Sequence, residues 1–244
     1  GYLKTTPVIR MIENAQVNGK KEQERYFTAL LKCLDPDAGK AAAKKDVRVS
    51  INSFFDDKPL ELKEDVRAGK MEDYVSPLFY APNVSWLVQR NGMHPRNSLM
   101  ISLNASEGNH MHANGISMEL YGKGYVLGPD AGIGLYLYSG LDYAEYYSQF
   151  PSHNTVCVDG ISSYPVMKSN HSFDLLSCFP ASSAATAVKE KFPSVTYSDV
   201  YFREPESRSD QTRMMSIVTT GPETGYYVDV FRSRKERGGD KMHD

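Results

Sequence analysis

Chemistry in this chain concentrates in three short stretches. The first, Asn109-His110-Met111-His112-Ala113-Asn114-Gly115, carries two imidazoles two residues apart. An aspartate follows in Gly128-Pro129-Asp130-Ala131-Gly132, and a third histidine in Ser152-His153-Asn154-Thr155. His110, His112, Asp130 and His153 can converge on one metal ion. Imidazole nitrogens with a carboxylate oxygen suit a borderline divalent cation, zinc first. If His110 and His112 sit on a β-strand, both rings share one face, about 7 Å apart, and can take different tasks. A histidine standing alone is more often an ordinary polar residue, and His94, His171 and His243 read that way.

Other residues could serve the same site. Tyr136, Tyr138, Tyr143, Tyr146 and Tyr147 fall between Asp130 and His153. Packing accounts for most of them, or stacking on sugars. One could move a proton if nearby positive charge lowers its phenol pKa. Arg90 and Arg96, beside Gln89, Asn91 and Asn97, offer planar forks for a carboxylate or sulfate, with salt bridging as the plainer role. The glycines of Gly122-Lys123-Gly124-Tyr125-Val126-Leu127-Gly128 lead from strand to strand without a following Gly-Lys-Ser/Thr, which argues against a nucleotide site. The basic run Arg232 to Arg237 could touch an acidic polymer but reads first as a solvated turn.

The elements that must position these residues are mostly strands. Residues 1–45 have helical spacing (Val8, Ile9, Met11, Ile12, then Tyr26, Phe27, Leu30, Leu31, Leu34), broken at Asn18-Gly19 and Asp35-Pro36, so two short helices are expected. From Val47 the period becomes two. Val47–Ile51, Phe79–Tyr80, Val84–Val88, Leu99–Leu103, Gly115–Tyr121, Tyr125–Leu127, Asn154–Val158, Val195–Tyr197, Met214–Val218 and Tyr226–Phe231 all read as strands between turn residues. The expected fold is mainly β: an antiparallel multi-sheet β-sandwich over residues 46–244, preceded by the helical segment 1–45.

Composition narrows the function. The chain has 244 residues, 41% of them hydrophobic, enough for a substantial core, and a formal net charge of only -2. Mixed charge gives no footprint for nucleic acid or an anionic membrane. No apolar run reaches the ~20 residues of a membrane span, and no signal peptide is evident. Cys33, Cys157 and Cys178 have no zinc or redox spacing and read as mostly buried thiols.

Taken together, Gln89-Arg90-Asn91, His110-Met111-His112-Ala113-Asn114-Gly115, Glu119-Leu120-Tyr121-Gly122-Lys123-Gly124, Pro129-Asp130-Ala131-Gly132, Ser152-His153-Asn154-Thr155-Val156 and Val158-Asp159-Gly160 resemble the C-terminal part of a heparinase II/III-type polysaccharide lyase. The resemblance covers residues 80 to 165 well and the flanks loosely. It implies an α/α toroid followed by a β-sandwich, with substrate between them. Residues 1–45 would then be the last toroid helices, and the sandwich is expected to continue past Asp244.

The resemblance also assigns roles. His112, Asp130 and His153 would hold a structural zinc, and His110 would be the active-site histidine. Tyr136 would be the cleft tyrosine, with Tyr138, Tyr146 and Tyr147 as competitors. Asn109, Arg90 and Arg96 would meet substrate. The implied reaction is β-elimination in a uronic-acid-containing polysaccharide such as a glycosaminoglycan or alginate, in a secreted or periplasmic setting. The rest of the toroid would be a required partner, so this stretch alone would lack part of the catalytic set. Two other readings are a non-catalytic carbohydrate-binding sandwich and a cupin-like metalloenzyme, the latter with Glu119 too far from His112 for cupin spacing.

Overall fold

Helix α1 (Thr5–Val17) buries Val8, Ile12 and Ala15, one stripe at helical spacing, and stops where Gly19 takes positive φ. Helix α2 (Lys21–Leu34) packs Leu31 onto that stripe, with Ile9, Phe27, Leu30 and Leu34 around it. Gln16 donates to Glu24 across the pair at 2.8 Å. These are the two expected helices. The computed structural model describes residues 5–35, 69–94, 96–109, 112–132, 142–160, 168–181 and 192–235. The helices belong to a compact unit, Gly1–Val75, in which Tyr26 also packs on Tyr74. The expected boundary at residues 45/46 and the expected strand at Val47–Ile51 lie outside the described residues.

The second unit, Ser76–Asp244, is the β-sandwich. One sheet contains β1 (Leu78–Ala81), β2 (Trp86–Arg90), β3 (Met100–Asn104), β5 (Ser117–Gly122) and β6 (Tyr125–Gly128) in that spatial order. The other contains β8 (Asp174–Phe179), β9 (Val195–Glu204), β10 (Ser209–Gly221) and β11 (Thr224–Lys235), ordered β11-β10-β9-β8. A short ribbon joins β4 (Ser106–Asn109) to β7 (Lys168–His171). All pairings are antiparallel.

Alternation builds the interior. Leu87, Ile101 and Leu103 of the first sheet meet Val200, Phe202, Met215 and Ile217 of the second in one apolar cluster. Phe150, Cys157 and Phe173 close it from the connections. Not every inward position is apolar. Gln89 reaches across to donate to the Met215 carbonyl at 3.1 Å, because a buried amide must find a partner. The β5–β6 turn uses Lys123 and Gly124, both at positive φ, which matches the twist of a two-residue hairpin.

Three local expectations are corrected. Asn154–Val158 is not a strand: Thr155 N turns back to the His153 carbonyl, and the Asn154 side chain is committed to other carbonyls. Arg232–Lys235 is not a solvated turn but the end of β11, paired with Ser209–Thr212. Cys33 is exposed, whereas Cys157 is buried and Cys178 intermediate.

Candidate functional site

His112, Asp130 and His153 come together beside the Ser117 end of β5. His112 lies in irregular chain, so the expected strand at His112 is corrected. β4 ends at Asn109. The fold of this segment is set at Gly115. Its φ is +58°, and a Cβ there would lie 2.7 Å from the Phe150 ring and 2.8 Å from Thr155 Oγ1. Only glycine lets the His112 segment pass this close to the His153 segment.

His153 follows a short 3-10 turn, Phe150–Ser152, and its backbone N bonds the Phe150 carbonyl at 3.0 Å. The residue is only 7% exposed. Its Nδ1 sits 2.6 Å from Asp130 Oδ2, and its Nε2 is buried with no hydrogen-bond partner among the described residues. Asp130 is itself tied down. Oδ1 accepts from Gly132 N at 2.9 Å, Ser117 Oγ approaches Oδ2 at 3.4 Å, and Asp130 N donates to Glu119 Oε1 at 3.2 Å.

His112 has two ring neighbours. The His112 ring centre is 5.3 Å from that of His153 and 5.4 Å from that of buried Tyr143, which it meets edge-on. Tyr143 opens a π-type turn, Tyr143–Tyr147, whose Tyr146 and Tyr147 rings pack on each other. Burial holds the His112 imidazole below its ordinary pKa, as does nearby His153, against the opposing pull of Asp130. For Asp130, burial acts to raise the pKa. The hydrogen bonds from His153 and Gly132, with the neighbouring imidazoles, outweigh it and hold the carboxylate below its usual range.

The cluster has the donor chemistry of a zinc site, and the buried His153 Nε2, without a hydrogen-bond partner among the described residues, is an atom that a bound cation would satisfy. Asp130 Oδ2 is used on His153 Nδ1, as in the carboxylate–histidine pairs that orient metal ligands. Among the described residues no three His, Cys, Asp or Glu side chains already stand in ligand geometry.

The other expected site residues are distributed differently. His110 and Tyr136 lie outside the described residues. Asn109 closes β4 opposite Lys168. Arg90 pairs with Met100, which pairs with Tyr121, so it aligns four residues from Ser117, about 13 Å along the sheet. Its Nη1 meets Met93 Sδ at 3.3 Å, and burial lowers its pKa. Arg96 is exposed in a turn where the backbone N–H groups of Arg96 and Asn97 both donate to His94 Nδ1 at 3.2 Å. The structure therefore joins His112, Asp130 and His153 and sets Arg90 apart from them.

With this geometry in view, the sequence matches the heparinase II/III-like C-terminal family over residues 75–217, more than half of the chain. This chain belongs to the heparinase II/III-like family. An endo-acting ulvan lyase from Formosa agariphila is 27% identical over 174 residues, covering 66% of this chain and 21% of that protein. The heparinase II/III-like chain thus spans about a fifth of that relative's length, and it is related to polysaccharide lyases. Among its described residues no helix is long and apolar enough to cross a membrane.

Sequence reasoning left four residues of this heparinase II/III-like site without a role in holding or lining it: Tyr143, Asn154, Arg213 and Asp229. Tyr143 was one tyrosine among five. Arg213 did leave a signal: it interrupts the row Arg213, Met215, Ile217 that faces the core. Asp229 lies on the neighbouring strand, diagonal to it.

Proposed function

We propose that this chain supplies the β-sandwich part of a polysaccharide lyase that cleaves a uronic-acid-containing polysaccharide by β-elimination. Family membership over residues 75–217 carries this reading, with the ulvan lyase relative as its chemical precedent. The setting would be extracellular or periplasmic, where large acidic polymers are met.

The chemistry requires removal of the C5 proton, which lies α to the uronate carboxylate. Electrons of the C5–H bond form the C4=C5 double bond, and the C4–O4 bond breaks. The departing oxygen takes a proton, leaving an unsaturated sugar and a new chain end. Donors or cations must offset the carboxylate charge while a Tyr or His handles the protons. His110 follows directly on Asn109, at the end of β4, and is assigned to substrate as the active-site histidine. Asn109 is assigned to hydrogen-bond the sugar, and Tyr136 to proton transfer. Arg90 and Arg96 would act on more distant parts of an acidic polymer.

His112, Asp130 and His153 would hold a divalent cation, zinc by donor type. When bound, the ion would supply fixed positive charge and cross-link the segments on either side of the site. The chain's own part is to keep the His112 segment in place.

A non-catalytic carbohydrate-binding role is favoured by one observation. Phe79 and Trp86 form an edge-to-face pair at 5.9 Å while remaining 49% and 42% exposed, a surface on which a sugar can stack. Incubating the full-length protein with ulvan and other uronate polymers separates the readings. A lyase yields an unsaturated product absorbing in the ultraviolet, and a binding module yields affinity without turnover.

A further inference from the structure

Arg213 is 4% exposed in the middle of β10, on the inner face of the second sheet. All three of its guanidinium nitrogens are engaged. Nε and Nη2 bond the Asp229 carboxylate at 3.0 and 2.6 Å, and the Phe231 ring centre lies 5.3 Å from Cζ. Nη1 donates to two main-chain oxygens, Ile116 O at 2.7 Å and Asn154 O at 2.6 Å. Ile116 ends the connection that carries His112, and Asn154 is next to His153.

The contacts continue through Asn154. Its side-chain amide donates to Met118 O and Pro129 O, each at 3.0 Å, and Pro129 precedes Asp130. One arginine and one asparagine therefore tie the three segments bearing His112, Asp130 and His153 to each other and to the second sheet. Met215 and Ile217 fill the next positions of the same row with apolar packing. A buried ion pair is often no more stabilising than such packing. The fork does what packing cannot: it supplies directional donors to two main-chain carbonyls at once.

We propose that Arg213, oriented by Asp229, is a positioning residue that fixes the geometry of the His112, Asp130 and His153 segments. Its consequence for zinc binding and elimination rests on the function proposed above, whereas the positioning itself does not. Lysine keeps the charge but cannot bridge Asp229 and both carbonyls.

The test uses full-length Arg213→Lys, with Arg203→Lys as control, since Arg203 makes an exposed pair with Asp210. In metal-free protein, amide hydrogen exchange in peptides covering 112–116 and 150–155 should speed up by about ten-fold or more while 195–200 keeps its wild-type rate. Zinc affinity should fall about 10–100-fold in Arg213→Lys and stay unchanged in Arg203→Lys. Wild-type exchange in both site peptides, or an equal rise across all three, overturns the proposal. Should Arg213→Lys fail to fold, Asp229→Asn carries the same measurement, its side chain being 34% exposed. Selective loosening in a protein whose wild type makes no unsaturated product keeps the positioning role and rejects the lyase reading.

Discussion

Asn154 Nδ2 donates to the Pro129 carbonyl at 3.0 Å, so the residue after His153 grips the residue before Asp130. The same nitrogen lies 3.0 Å from Met118 O and 3.4 Å from Gly128 O. Asn154→Ala removes the donors and leaves these carbonyls short of partners. The expected loss is about 1–3 kcal/mol, read as a lower urea midpoint at unchanged slope. Asn154→Asp, which has the shape without the donors, should do no better.

Gly115 makes a second prediction. Positive φ and the approach of Phe150 and Thr155 both exclude a side chain. Gly115→Ala should cost on the order of 1–3 kcal/mol from backbone strain, with steric displacement added to it. Thermal unfolding measures the loss. Gly160→Ala is the comparison, because Gly160 also has positive φ but, among the described residues, nothing within 4 Å of an added Cβ, so it should lose only the strain part.

Metal binding gives the third. His112→Ala and His153→Ala should each abolish stoichiometric zinc, measured by elemental analysis after dialysis. Asp130→Asn should weaken zinc by roughly 10–100-fold, whether the carboxylate ligates the ion or orients His153. Tyr143→Phe keeps the edge contact with His112 and should retain the metal. Unchanged zinc content in the two histidine variants would remove this assignment.

The fourth concerns pH. Burial holds folded His112 below the ordinary imidazole value, and likewise His171, where burial outweighs the pull of Glu204 and Glu206. An imidazole with a depressed folded pKa binds fewer protons than the unfolded chain just beneath about 6.5. Stability therefore rises with pH across that window and is lost as pH falls through it. Zinc affinity should decline over the same range, since protons compete for the ligand nitrogens. Denaturant midpoints at stepped pH, for the wild type and His171→Gln, separate the share that belongs to His171.

Much of the sandwich was legible in sequence because its central strands alternate cleanly: Ile101 and Leu103, Met215 and Ile217 carry the period into the core. β4 and β7, Ser-Glu-Gly-Asn and Lys-Ser-Asn-His, are polar and carry no such pattern, so they went unread. Asn154–Val158 misled because its β-branched residues suit a strand, while local hydrogen bonding of His153 and Asn154 takes the backbone elsewhere. The proximity of His112, Asp130 and His153 could be guessed from residue type. That Asp130 is spent on His153 Nδ1, or that Arg213 reaches them from the other sheet, depends on packing that no local window contains.

The most direct test of the lyase reading is the product made from a uronate polymer by full-length wild type and His110→Ala, with zinc content measured on both. The account predicts an ultraviolet-absorbing unsaturated product from the wild type, and its loss in His110→Ala with zinc retained. Saturated products alone from the wild type, or undiminished unsaturated product from the variant, would contradict it.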